Sequence, residues 1–196
     1  MFDKMMSLLR QGQWVRGIHP EVSRRLISVA DRCHELNSLK PSETALRERL
    51  LRDLLGSMGK GCIIHSPFRC DFGHNIRLGD NVTLNFGMTI LDEAEVLIGN
   101  RVFIGPNVSI YTIIHALDPQ QRSEGVMRAA TVCIEDDVWI CGDVTILPGV
   151  TIGHGAVIGA GSVVTRSVPP LSLAAGNPCR VIREITENDH IDEIMM

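Results

Sequence analysis

From Ile134 to Pro169 the chain repeats every six residues: IEDDVW, ICGDVT, ILPGVT, IGHGAV, IGAGSV and VTRSVP. The first place is always Ile or Val, and the fifth is Val, Ala or Ser. Places two to four are crowded with turn formers. A short fixed period of this kind marks a solenoid, in which each repeat buries its apolar side chains only by stacking on the next. Period six is neither a helical heptad nor simple alternation, since alternation would not hold Gly and Asp at fixed offsets. The physical solution is a flat strand of a few residues followed by a tight turn, with the first and fifth places pointing inward. Gly, Asn and Asp fill the turn because it needs backbone angles that a β-branched residue resists.

The 196 residues allow one large domain, or one with a small accessory part. Hydrophobic content of 44% is ample for a core, and the 4% aromatic content fits a narrow solenoid whose coils hold Ile, Val, Leu and small residues. Net charge is -4 with no basic run, so nucleic acid is not an expected partner. The first ten residues are amphipathic rather than a continuous apolar block, and no stretch of 18 apolar residues exists. A cytoplasmic protein with no membrane partner is therefore expected. The six cysteines form no C-x-x-C pair and read as reduced, small apolar fillers, with no metal site expected.

Residues 1–59 lack the hexad and are expected to form an N-terminal helical segment. Met5, Met6 and Leu9 share one helical face. Leu26, Ile27, Ala30 and Cys33 share another after Pro20. Leu46, Leu50, Leu51, Leu54, Leu55 and Met58 form a third, opened by Pro41-Ser42 and stopped by Gly59. Arg47-Glu48-Arg49 reads as the solvated side of that third helix. These helices are placed to cap the open end of the solenoid or to close over a site. The solenoid is expected over residues 60–185, with a tail over 186–196. Its first segments look ragged, register is regained at Leu78, and a slip is expected through Asn85 to Glu93, where broken regularity points to function. A longer break, 111–130, must leave the coil as a loop, and loops on rigid scaffolds carry function. His115 stands near its foot.

The hexads, the helical front and the His-bearing loop resemble the hexapeptide-repeat acyltransferases, and more closely the maltose and galactoside O-acetyltransferases. The most specific pieces are Asp137 to Ile140, Pro148 to Gly153, Val157 to Arg166 and Ala174 to Arg183. The resemblance implies an all-β core: a left-handed parallel β-helix of hexapeptide repeats with an N-terminal helical segment and an extended loop. It also implies a homotrimer with active sites in the clefts between subunits, and acetyl-CoA as co-substrate. His115 falls on the family's general base and Asn85 on the residue that holds the acetyl end. Acceptor contacts fall on Asp71, Glu93 and Met127. Cofactor contacts fall on Trp139, Gly142, Ala160, Thr165, Arg166, Arg180 and Arg183. The chain departs from the family chiefly on the acceptor side. Gly17 stands where an acid is expected, Asp71 replaces a Ser, Glu93 replaces an Asp, and Gly142 replaces a small Ser or Ala.

The residues themselves agree with this chemistry. Acetyl transfer from a thioester to an alcohol needs a base for the hydroxyl proton and donors for the developing oxyanion. A single neutral His supplies the first without a covalent intermediate. Arg180 and Arg183, just past the last hexads, are placed to meet cofactor phosphates. The expected function is an acetyl-CoA-dependent O-acetyltransferase acting on a hydroxyl of a sugar or sugar-like acceptor. A xenobiotic or amino-sugar acceptor is the alternative, followed by a non-catalytic β-helix scaffold. A metal-dependent hydratase on the same helix would need three suitably spaced His, which His65, His74, His115 and His154 do not supply.

Overall fold

The computed structural model describes residues 2–192 and Met195; Met1, Glu193, Ile194 and Met196, at the ends of the expected N-terminal and C-terminal segments, lie outside the described residues. The chain winds as a left-handed parallel β-helix of triangular section. Face I holds Ser57–Met58, Ile76–Leu78, Val96–Ile98, Val132–Ile134 and Thr151–Ile152. Face II holds Ile63–Ile64, Thr83–Leu84, Phe103–Ile104, Trp139–Ile140, Val157–Ile158 and Ser172–Gly176. Face III holds Phe68–Cys70, Met88–Leu91, Ser109–Tyr111, Thr145–Ile146 and Val163–Val164. Cys179–Glu184 then turns back antiparallel on Ser172–Gly176.

The hexad is set by what the interior and the corners accept. Ile104, Ile110, Ile134, Ile140, Ile146, Ile152, Ile158 and Val164 are buried first places. Val102, Val108, Val138, Val144, Ala156 and Ser162 are buried fifth places. The fourth place takes the left-handed backbone region: Asn81, Asn107, Asp137 and Asp143 lie at φ between 57° and 61°, with Gly at 61, 87, 149, 155 and 161. Arg101, at φ 54°, is the exception, and its guanidinium is held by Asp137 at 2.6 and 2.7 Å. Ser162 is the one polar fifth place. Its Oγ donates to Gly159 O (2.5 Å) and accepts from Gly176 N–H (3.0 Å), so no polar atom is stranded.

The early coils are more regular than the sequence suggests. Met58, Ile64 and Cys70 are already six apart, and the first strand of the coil is Ser57–Met58. Met58, expected on the third helix, is part of the solenoid. Leu84 to Ile90 is also a normal step, so Asn85 does not mark a slip. The irregularity sits at the corner between faces III and I. Cys70 to Leu78 and Ile90 to Ile98 each take eight residues, and Ile110 to Ile134 takes twenty-four. Every departure from the period is spent on this one edge.

Three helices precede the coil, α1 (Phe2–Arg10), α2 (Pro20–Ser38) and α3 (Thr44–Leu54); α2 and α3 close its first turn, whereas Met6 and Leu9 of α1 pack with Phe72, Ala94 and Ala129. Pro20 sits in the first turn of α2, where its missing N–H costs nothing, and His19 Nδ1 accepts from Glu21 N–H (3.1 Å) as the cap. The buried stripe of α2 is Val29, Cys33 and Leu36; Ile27 and Ala30, expected inside, face out, one step round the helix. With Leu51, Leu54 and Leu55, this stripe joins the same core as Ile64 and Phe68. Arg47 is not on a solvated face. It is buried, donating to Leu36 O and Ile64 O, both at 3.1 Å, and so ties the end of α2 to the first coil.

If first places carry the stability, Ile140→Ala, in the middle of face II and fully buried, should lower unfolding free energy by about 2–5 kcal/mol. Denaturant titration should show the midpoint falling with an unchanged slope.

Candidate active site

The excursion from Tyr111 to Ala130 is not an irregular loop. Ile113–His115 and Val126–Ala129 pair antiparallel, joined by the short helix α4 (Pro119–Ser123), which Asp118 caps through Gln121 N–H (2.8 Å). Val15–Arg16 from the N-terminal segment adds a third strand on the far side. The pairing sets Val15, Met127 and His115 in one cross-strand row, so all three project from the same side of this small sheet. The same side carries Ile113 and Ala129, which pack with Met6, Leu9, Phe72 and Ala94 in a second core. Phe72 and Ala94 are the sequence neighbours of Asp71 and Glu93. A rigid sheet, seated on an apolar floor, therefore brings His115 and Met127 to the corner that bears both acids.

The acids form one electrostatic unit. Burial pushes the Glu93 carboxyl up to about 8, reinforced by the charge of Asp71 and a hydrogen bond to it. Asp71 is also raised by burial, against the opposing pull of its hydrogen bond with Glu93. Each carboxyl therefore makes the other harder to ionise, and the two titrate as one coupled pair. Beneath them Asp92, 0% exposed, is raised by burial to about 6 and lowered in part by backbone N–H groups.

Gly17 lies beside Met127: a Cβ there would fall 2.5 Å from both Met127 Sδ and Cε. The thioether fills the volume where any longer side chain at position 17 would start. Nearby, the Arg128 guanidinium stands 5.2 Å from the Trp14 ring centroid, a cation–π contact on the outer side of the small sheet.

The candidate cofactor residues distribute over two edges. Thr165 and Arg166 are exposed on the III/I corner, the edge of His115. Asn85, Gly142 and Ala160 are on the II/III corner, in turns of separate coils. There Gly161 N–H donates to Gly142 O (3.0 Å), and a Cβ on Gly105 would fall 2.6 Å from Gly142 N. Backbone lies bare along this edge, a surface on which an extended chain can lie close. Trp139 stands exposed on face II between Phe103 and Val157. Asn85 Oδ1 accepts from Phe86 N–H (2.8 Å), which fixes its amide. Arg180 and Arg183 are exposed on the final antiparallel strand. Arg183 is already engaged in a two-point pair with Asp189 (2.7 and 2.8 Å), whose turn is closed by Thr186. In one chain, then, His115 with the acids and Asn85 with the bare ledge are on different edges of the prism, separated by the width of face III.

All six cysteines are free, and Cys33 and Cys70 Sγ approach to 3.9 Å. Among the described residues no group of three His, Cys, Asp or Glu is placed to hold a metal ion, and no helix is long and apolar enough to cross a membrane.

Residues 134–166 match the family model of the bacterial transferase hexapeptide (six repeats), and residues 12–59 match that of the maltose acetyltransferase hexapeptide capping motif. The galactoside O-acetyltransferase of Escherichia coli (strain K12) is 42% identical over 156 residues, 80% of this chain and 77% of that protein. The crystal structure of a maltose O-acetyltransferase from Clostridium difficile 630 superposes with a TM-score of 0.90 at 39% identity, covering 93% of this chain and 98% of that one. A galactoside acetyltransferase in complex with coenzyme A superposes at 0.89 with 36% identity, covering 97% and 96%. This chain belongs to the hexapeptide-repeat acetyltransferases, in the galactoside and maltose O-acetyltransferase group. The capping motif of that family is the segment that carries Val15–Arg16, α2 and α3, so the helices that close the coil and the strand that braces the His115 sheet are one inherited unit.

Sequence reasoning missed Asp92, Asn75 and Thr112, all buried at the acid corner. The Asp92–Glu93 pair set between apolar Leu91 and Ala94 was the available signal, but Asp in a turn reads first as a turn former.

Because Asp92 and Glu93 hold protons more tightly folded than unfolded, their stabilising contribution is complete below about pH 4 and is lost as pH rises through about 6 and about 8. Across the upper window the loss should approach about 1 kcal/mol per pH unit. Melting curves of the wild type should show that decline, and Glu93→Gln should flatten it. An unchanged slope would mean that Glu93 is ionised throughout.

Proposed function

We propose that this acetyltransferase transfers the acetyl group of acetyl-CoA directly to a hydroxyl of a sugar or sugar-like acceptor, with His115 as general base. The observation that carries this reading is the cross-strand row that sets His115 beside Met127, seated over the corner that bears Asp71 and Glu93. An acceptor held there by the two acids turns a hydroxyl toward the imidazole. His115 takes the proton as the oxygen attacks the thioester carbonyl. The imidazolium then returns it to the departing thiolate of CoA. Asn85 orients the acetyl carbonyl, whose developing negative charge needs a donor. Free cysteines and the use of acetyl-CoA fit a reducing, cytoplasmic setting.

The separation of the two edges supports a shared site. His115, Asp71, Glu93, Thr165 and Arg166 of one subunit would meet Asn85, Trp139, Gly142 and Ala160 of a second, across a cleft that holds the cofactor. A closed ring of three such contacts makes a homotrimer with three equivalent sites. The acceptor side is altered: with Met127 over Gly17, an apolar thioether replaces an expected hydroxyl contact. Recognition therefore falls on Asp71 and Glu93, and activity on simple sugars such as maltose is weak and broad. Thiol release measured over a panel of glucosides, galactosides, maltose and amino sugars tests the acceptor class directly.

His115→Ala should reduce turnover about a hundredfold to ten-thousandfold, while the particle mass by light scattering stays near three times 21.6 kDa. His115→Ala and Asn85→Ala subunits, co-expressed one to one, should rebuild about a quarter of the intact sites. Activity no greater than that of either variant alone would refute the shared cleft. A turnover within tenfold of wild type for His115→Ala would remove the base.

If Arg183 leaves Asp189 for a cofactor phosphate, Arg183→Ala should raise the acetyl-CoA KM about tenfold or more, with kcat changed less. An unchanged KM would make the Arg183–Asp189 pair a local brace for the C-terminal turn.

A further inference from the structure

The acceptor corner rests on a residue that makes no contact with solvent. In the second coil, Asp92 turns its carboxylate back toward the first. Its Oδ1 accepts from Asp71 N–H (3.1 Å) and Phe72 N–H (2.8 Å), and its backbone carbonyl accepts from Asn75 Nδ2 (2.6 Å). One residue thus grips both ends of the 71–75 turn. Thr112, also 0% exposed, grips the second coil from the third. Its Oγ1 donates to Leu91 O (2.8 Å) and accepts from Ala94 N–H (3.0 Å), the two positions that bracket Asp92 and Glu93. Thr112 Oγ1 is also 3.5 Å from Glu93 Oε2.

Packing alone does not account for an acid at this place. The other Asp92 oxygen, Oδ2, is buried with no partner in the protein, and a buried carboxyl costs folding energy that an apolar residue of similar size would not. The later III/I corners, Ile146 to Ile152 in six residues and Val164 to Val168 in four, close with no buried acid. The two that carry this arrangement are the two that present Asp71 and Glu93.

We propose that Asp92 is a positioning residue for acceptor binding: by clamping the 71–75 turn to its own turn it sets the separation of the Asp71 and Glu93 carboxyls, and Thr112 completes the clamp from the coil that bears the His115 sheet. This rests on the reading that Asp71 and Glu93 meet the acceptor. The acceptor therefore binds two carboxyls whose spacing is fixed from beneath rather than by their own flexible side chains, which pre-organises the pocket.

The test is steady-state kinetics on the full chain, with maltose or the fastest acceptor of the panel, varying each substrate in turn. Asp92→Ala should raise the acceptor KM about tenfold and leave the acetyl-CoA KM within about twofold. Asp92→Asn, whose amide oxygen still accepts the two N–H groups, should recover most of the loss. In the double variant with Asp71→Asn, the acceptor KM should be no worse than with Asp71→Asn alone, because the two act through one contact. Thr112→Val should raise the acceptor KM in the same selective way, and it carries the test if Asp92→Ala does not fold. The proposal is overturned by an unchanged acceptor KM in the folded variants, by equal rises in both KM values, or by full additivity with Asp71→Asn. If Asp71→Asn and Glu93→Gln themselves leave the acceptor KM unchanged, the acceptor reading fails. If they raise it while the Asp92 and Thr112 variants are neutral, only the clamp fails.

Discussion

Each coil is held to the next by backbone hydrogen bonds that run along the axis, and every other feature of the molecule must keep their spacing. Thr83 N–H donates to Val102 O at 2.9 Å, Phe103 N–H to Val138 O at 3.0 Å and Trp139 N–H to Ala156 O at 3.0 Å, one coil after another. A residue added on a face would shift every partner above it and turn inward side chains outward. Among the described residues each inward place of the coil is filled by one buried, almost always apolar side chain. Chemistry is therefore confined to the outer surface and to the corners, where extra residues can leave and rejoin without disturbing the ladder. The chain uses one corner for nearly all of them: two extra residues in each of the first two coils and the long excursion in the third.

That confinement explains why the candidate site is divided. The II/III corner stays regular, and regularity gives it an uninterrupted strip of backbone at Gly105, Gly142 and Ala160. The III/I corner is irregular, and irregularity gives it acids, a braced sheet and His115. A prism cannot bring two of its own edges together, whereas packing prisms side by side lays an edge of one along an edge of another. The N-terminal segment contributes to both ends of this arrangement. Its helices close the first coil through Arg47 and the Leu36–Leu51–Leu54 packing, and Val15–Arg16 stiffens the His115 sheet from outside.

What could be read from the residues was whatever repeats or interrupts a repeat. Ile134 to Val164 declare the coil, and the gap after Ile110 declares an excursion with His115 at its foot. The early coils are harder to read because eight-residue corners hide the six-residue steps on either side: the apolar pattern predicts a slip over Asn85 to Glu93, whereas the two extra residues fall between Ile90 and Ile98. Periodicity placed Met58 on a helix because apolar residues four apart fit either element, and the ladder to Leu78 decides for the strand. Arg47 looked solvated in a run of charges; only the helix C-terminus and the strand carbonyl that converge on it make its burial tolerable. Tertiary polar contacts such as Asp92 with Asp71, or Arg183 with Asp189, join positions whose separation in sequence carries no local signal.

The two edges are also under different constraints. Gly142 and Ala160 occupy turn places that the coil itself requires, so changes there disturb the stacking before they alter recognition. Positions 17, 71, 93 and 127 lie outside the ladder, on the inserted residues and the brace that covers them. Exchange at these places costs the coil little, and the departures that the resemblance implies fall chiefly at positions 17, 71 and 93. Met127 occupies the volume over Gly17, and on the proposed reading recognition rests on the coupled carboxyl pair of Asp71 and Glu93. While it holds a proton, such a pair presents one donor and several acceptors instead of acceptors alone, which suits a hydroxyl that must both give and receive a hydrogen bond. The same geometry that keeps the II/III corner regular thus leaves the III/I corner free to vary, the side on which the proposed acceptor would bind.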